Sequence, residues 1–201
     1  MPDTPRLIAG SLQLDDPQLQ QALALARQQL LGAGAQAGMR LLLIDHNSLS
    51  QLLYLLAGWQ LQLLVVNLLP RLPAAELARR HGHCQPHLLF DPMERLPGYS
   101  GHRLPALALT ATANISDKHW PIWPNPQALA DLSFTSGSSG LPRAIAHSVA
   151  NHQASADASV PLLHLNADSR YLLSLSLAHI GGLAIIARWL QHIIDLKEER
   201  P

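Results

Sequence analysis

FTSGSSGLPRAIAHS, residues 134–148, sets serines, glycines and a threonine between an apolar lead-in and a Pro-Arg pair. By composition alone its centre, SGSSG, is a flexible linker. A linker joins independent units, however, and this stretch is entered from LADLSF and left through AIA, both partly apolar. Read with its flanks it is a loop inside a domain: a short strand from Leu129 into Phe134, the loop, and a helix from about Ala144. Gly137 and Gly140 remove the Cβ barrier to close backbone approach, Thr135, Ser136, Ser138 and Ser139 bring hydroxyls and N–H groups, and Arg143 brings a cation. The N-terminus of the expected helix adds positive potential. That donor set suits phosphate oxygens. It is not a Walker A loop, because the four-residue spacing between glycines and the GK[ST] ending are absent.

Working outward, the chain reads as α/β. Asp16 is placed to cap a helix opened by Pro17, with Leu19, Ala22, Leu23, Ala26 and Leu30 on one face and Gly32 and Gly34 at its end. RLLLID (40–45) reads as a buried strand, and PAAELARRHG (73–82) as a helix closed by glycine. Between them, the 25 residues separating Asp45 from Arg71 carry no Asp, Glu, Lys or Arg. Ser48, Ser50, Gln51, Gln60, Gln62 and Asn67 interrupt this run, so it lacks the clean apolar block of about 20 residues that a spanning helix needs. It reads instead as a buried helix over 49–57, a break near Gly58, and a buried strand over 63–66. HLLF (87–90) is a further strand. An irregular proline-rich seam follows at about 91–127, then a strand around RYLLSLS (170–176), a helix over 182–194, and a solvated KEERP end.

Lys plus Arg and Asp plus Glu are 14 each and 48% of the 201 residues are hydrophobic, which fits a globular chain with no general attraction to nucleic acid or an anionic membrane. The single cysteine, Cys84, forms no internal disulfide and suits a reducing cytoplasm; MPDTPRLIAG does not read as a secretory signal.

TSGSSGLPRA resembles the phosphate-binding signature of the adenylate-forming acyl- and aryl-CoA synthetases. Arg143 stands where that signature usually has lysine and Ala144 where it often has glycine, so the cation is kept with a planar head. LLSLSLAHIGGLAIIARWL (172–190) resembles the acyl-pocket block of the same superfamily, with Ser176 and Ala178 departing from its usual proline and phenylalanine. VVNLLPRLPAAEL (65–77) is similar to a strand, Asn-Pro turn and helix preceding the nucleotide loop, with Leu68 breaking the Asn-Pro pair. LPRAIAHS and ARWL narrow the resemblance to the o-succinylbenzoate:CoA ligases of menaquinone biosynthesis. It extends over about residues 22–190.

The resemblance implies an incomplete AMP-binding N-terminal domain over 1–201, with the phosphate loop at 135–143. It implies ATP, Mg2+ and CoA, and a small-molecule carboxylic acid received by His179, Gly181, Gly182 and Arg188. Gly181 stands where the related enzyme has a serine of the pocket, and Arg188 where an arginine meets a substrate carboxylate; the alternative for Arg188 is a solvated helix-face residue. The superfamily's downstream Tyr-Gly-x-Thr-Glu block, ribose-binding aspartate, hinge and catalytic lysine have no counterpart among these residues, whose only lysines are Lys118 and Lys197. No catalytic side chain is therefore assigned. An acid:CoA ligase completed by a separately encoded C-terminal part competes with a non-catalytic nucleotide- or partner-binding remnant.

Two further readings carry less. His81, His83, Cys84 and His87 in HGHCQPH are metal-ligand types without the spacing of a standard zinc module, so no metal is expected there. A hydrolase pairing serine with His147 or His179 lacks Gly-x-Ser-x-Gly.

Overall fold

The computed structural model describes residues 7–109, 125–135, 143–166 and 169–198. A small hairpin, β1 (Leu7–Ala9) and β2 (Leu12–Leu14), leads into α1 (Asp16–Gly32). Asp15, not the expected Asp16, caps that helix: its side chain accepts from the Gln18 backbone while the Gln18 side chain accepts from the Asp15 N–H. This reciprocal capping box satisfies two otherwise orphaned donors and fixes where the helix begins.

The apolar centre of the chain then alternates as expected: β3 (Arg40–Ile44), α2 (Leu49–Gln60), β4 (Leu64–Leu68), α3 (Ala74–Cys84) and β5 (Leu88–Phe90). Two boundaries differ from expectation. The expected break at Gly58 is absent, since α2 runs through it to Gln60. A Cβ there would meet Val65 Cγ2 at 2.9 Å and Leu41 Cδ2 at 3.3 Å, so this glycine lets the helix press onto β3 and β4. Gly82 does not close α3 either. Gln85 does, in the left-handed conformation (φ 41°), with its N–H on the His81 carbonyl at 2.8 Å.

The described part of the proline-rich seam supplies β6 (His102–Arg103); positions 110–124 lie outside the described residues. β7 (Leu129–Thr135) enters the serine-glycine loop, and β8 (Arg143–Ser148) leaves it. The helix expected from about Ala144 is thus a strand, paired antiparallel to β7 from Leu129↔Ser148 to Thr135↔Arg143. The helix begins later, as α4 (Val149–Leu162), where Ser148 and Asn151 form a second capping box. No strand forms at RYLLSLS, whose Leu172 and Leu175 are 78% and 51% exposed. That segment leads irregularly into α5 (Ile180–Glu198), two residues earlier than expected.

Among the described residues the main sheet has the order β6-β5-β3-β4-β7-β8, parallel except for the last pair. Alternation along the strands sorts the core to two faces. Leu41, Leu43, Val65, Leu88 and Phe90 meet α1, α2, α4 and α5; Leu42, Ile44, Val66, Leu68 and Leu89 meet α3. The uncharged stretch is therefore core of the domain. Among the described residues no helix is long and apolar enough to cross a membrane.

Candidate nucleotide and acyl-acid site

Ligands of parallel α/β sheets bind beyond the carboxyl ends of the strands, where loops leave the sheet and backbone groups are free to face a ligand. Here Val66 pairs with Leu132, so Thr135, three residues on, stands at the same edge as Leu68 and Ile44. Thr135 Oγ1 donates to the Arg143 carbonyl at 3.4 Å, and both residues are exposed on the last rung of the β7–β8 ladder. Ser136, Gly137, Ser138, Ser139 and Gly140 lie outside the described residues. Because β8 and not a helix follows the loop, no helix N-terminus stands at its immediate exit among the described residues. Positive potential at its base rests on Arg143.

The second block reaches the same edge through a residue that the sequence did not single out. Asn47, just beyond β3, donates from Nδ2 to the Leu175 carbonyl at 2.9 Å and accepts the Leu177 N–H on Oδ1 at 2.9 Å. One amide thus clamps the segment entering α5, and its own φ of 58° is a left-handed conformation that asparagine tolerates better than most residues. Behind it, Gln51 Oε1 accepts the Asn47 N–H at 2.8 Å while Gln51 Nε2 donates to Asn67 Oδ1 at 3.1 Å. Gln51 and Asn67 are buried, and Asn67 Nδ2 has no hydrogen-bond partner. The two strand ends carrying these blocks, β3 and β7, are separated by β4, about 10 Å at ordinary strand spacing.

Beyond the clamp, the His179 carbonyl accepts from Gly182 N and Leu183 N, opening α5, while its side chain is exposed. A Cβ on Gly181 would meet Leu175 Cδ1 at 2.9 Å, so the serine of related pockets would need this leucine to move. Arg188, two turns along α5, lays its guanidinium over the Tyr171 ring at 5.2 Å, and its buried Nε has no hydrogen-bond partner. It is half-buried.

A family model described as AMP-binding enzyme matches residues 13–192. The chain belongs to the AMP-binding enzyme family. The 2-succinylbenzoate–CoA ligase of Salmonella typhimurium is 43% identical over 65 residues, 32% of this chain and 14% of that enzyme. That of Escherichia coli is 37% identical over 86 residues, 43% of this chain and 19% of that enzyme. Escherichia coli MenE, solved with an m-phenylether-linked analogue of OSB-AMS, is similar with a TM-score of 0.79 and 26% identity over 94% of this chain and 41% of that one. The chain has the α/β fold of the N-terminal domain of MenE-like enzymes, and it spans less than half of that solved relative.

The histidine-cysteine stretch does not converge. His81 packs on Tyr99, His83 on Phe134, and His87 Nδ1 accepts the Arg40 N–H. Cys84 is buried with its thiol on the His81 carbonyl, and burial pushes its pKa from 9.0 up to about 11. Thiolate is the reactive and metal-binding form, so maleimide labelling at pH 8 is expected to run about a hundredfold slower in native protein than in urea. The unfolded thiol releases its proton near 9.0 and the folded one near 11, so this contribution to stability is full below about pH 9 and is lost as pH rises to about 11. A cleft of about 600 Å³ lined by Met39, His81, Gln85, His87 and Tyr99 opens where β3 and β5 begin, the edge opposite Thr135 and Asn47. Among the described residues, the ligand-type side chains that do converge are Asp131, His147 and His152.

Proposed function

We propose that the chain is the front part of an ATP-dependent acid:CoA ligase acting on an o-succinylbenzoate-like aromatic carboxylate. Thr135, Ser136, Gly137, Ser138, Ser139, Gly140 and Arg143 hold the ATP phosphates. His179, Gly181, Gly182 and Arg188 line the acid site. The observation that carries this reading is Arg188: a half-buried guanidinium with an unpartnered Nε, stacked on Tyr171, in a segment tied by Asn47 to the sheet edge where the serine-glycine loop emerges. A carboxylate is the acceptor such a group lacks. In the reaction so assigned, a substrate carboxylate oxygen attacks the α-phosphorus, the bond to pyrophosphate breaks, and CoA thiolate then displaces AMP. Holding both reactants in line is most of what these residues contribute. Mg2+ accompanies ATP, and the ribose and lysine motifs of such enzymes belong to a part that these 201 residues do not include.

Titration calorimetry of the 201-residue chain with ATP and Mg2+ tests the reading. Saturable binding is expected, weakened about tenfold by Arg143→Ala, the loss of one charge-assisted contact. Arg188→Ala is expected to leave ATP binding unchanged and to weaken an aromatic keto-dicarboxylate by a similar factor. Absence of ATP binding ends the phosphate-loop assignment. ATP binding with no acyl-AMP, even after addition of the C-terminal part of a homologous ligase, favours the non-catalytic remnant.

A further inference from the structure

We propose that Asp131, His147 and His152 form a divalent transition-metal site of the zinc type. Nothing in the adenylation reading uses these side chains. Asp131 sits on β7 opposite His147 on β8, and His152 lies on the first turn of α4. Each carboxylate oxygen faces one imidazole: His152 Nε2 is in close contact with Oδ1, and His147 Nδ1 lies 3.0 Å from Oδ2. The three donor atoms all lie within 4.8 Å of one another.

The local backbone is shaped for this convergence. The β7–β8 register slips between Leu129 and Asp131, leaving Ala130 as an extra residue in the strand. Such a bulge re-aims the side chain beside it, here bringing Asp131 to α4 on the helix-covered face. The Trp59 indole N–H satisfies the Ala130 carbonyl at 3.0 Å, and its ring packs tilted against that of His152, centroids 5.5 Å apart. Ser133 Oγ donates to Asp131 Oδ2 at 3.0 Å, the kind of outer hydrogen bond that orients a ligating carboxylate. Because this hydroxyl addresses the carboxylate and not an imidazole, the cluster is not a Ser-His nucleophile pair.

Charge then favours a cation. Asp131 is 1% exposed, and its ion-pair partners among the described residues are the two histidines, which carry charge only when protonated. A buried carboxylate is stable only if paired, hydrogen-bonded throughout, or bound to a metal. Two imidazole nitrogens and one carboxylate oxygen with an open fourth position is a common zinc donor set, whereas Mg2+ and Ca2+ prefer oxygen. The ligating tautomers place the remaining proton on His147 Nε2 and His152 Nδ1, leaving lone pairs toward Asp131. His147, 23% exposed, gives an entry path. Thr135 lies four residues beyond Asp131 along the strand, about 13 Å, so the ion would pin β7, β8 and α4 together beneath the loop without touching a phosphate there.

Chelator-washed full chain titrated with Zn2+, and with Co2+ followed by visible absorption, tests the site. One equivalent of tight binding is expected, with a tetrahedral-type Co2+ band and shifted imidazole nitrogen resonances of His147 and His152. Ser133→Ala should weaken binding about tenfold and His147→Gln by more, while His83→Gln should leave it unchanged. Should His147→Gln fail to fold, the wild-type resonance shifts still decide. No stoichiometric uptake, or uptake that leaves those two imidazoles unshifted, overturns the proposal.

Discussion

Gly182→Ala is expected to lower the stability of the chain by about 2 kcal/mol, read as a shift in the urea midpoint. Gly182 occupies the first turn of α5, where alanine would ordinarily improve a helix by up to about 1 kcal/mol. Space opposes that gain. A Cβ at this position lies well inside contact distance of the Ser176 carbonyl and 3.0 Å from the Leu175 carbonyl oxygen. Both neighbours are backbone, and Leu175 is held by Asn47, so neither can swing aside as a side-chain tip would. Overpacking of this kind costs about 1–3 kcal/mol, and the clash outweighs propensity. Gly82→Ala is the matched control. It changes the same residue type inside α3, where an added Cβ meets nothing within 4 Å, and is expected to stabilise by about 0.5 kcal/mol. If the two substitutions shift the midpoint alike, the close approach of α5 to the Leu175–Ser176 backbone is wrong.

The contrast between these glycines is typical of what the sequence could and could not convey. Apolar spacing located α1, and continuous apolar runs located β3 and β4, because burial on one or both faces leaves a direct imprint on residue type. β8 left no such imprint. It is an edge strand with one neighbour, and RAIAHS, followed by VANHQASA, has no clean alternation to distinguish it from the start of α4. RYLLSLS erred in the other direction: it is apolar enough for a strand, yet two of its three leucines are exposed and its backbone is held by a side-chain amide. Gly58, whose absent Cβ permits contact with β3 and β4, reads in isolation as a helix break. At the candidate site, His179, Gly181, Gly182 and Arg188 could be put forward from the sequence because they fall within a recognisable block. Asn47, Gln51 and Tyr171 were not, since their roles arise from neighbours distant in sequence. Asn47 in DHNSLS resembles any turn asparagine, and its partners lie 128 and 130 positions away.

That clamp predicts a graded response. Asn47→Ala loses two side-chain hydrogen bonds to backbone, each worth about 1 kcal/mol net, and places a Cβ-bearing residue without a compensating amide at φ 58°, adding roughly 1 kcal/mol. A destabilisation of about 3 kcal/mol is expected. Asn47→Gly loses the same bonds but relieves the conformational strain, and should cost about 2 kcal/mol. Amide hydrogen exchange at Leu177 should accelerate in both variants, because its N–H loses its only acceptor shown among the described residues, Asn47 Oδ1. Equal stabilities for Ala and Gly would mean the left-handed backbone is not retained in the alanine variant, and unchanged Leu177 exchange would mean the clamp does not hold the segment. The two blocks touch the sheet through different strands, so releasing this segment should also separate their functions. On the proposed assignment, Asn47→Ala weakens binding of the aromatic acid at Arg188 while affinity for ATP, whose loop hangs from β7 and β8, stays at the level of the parent chain.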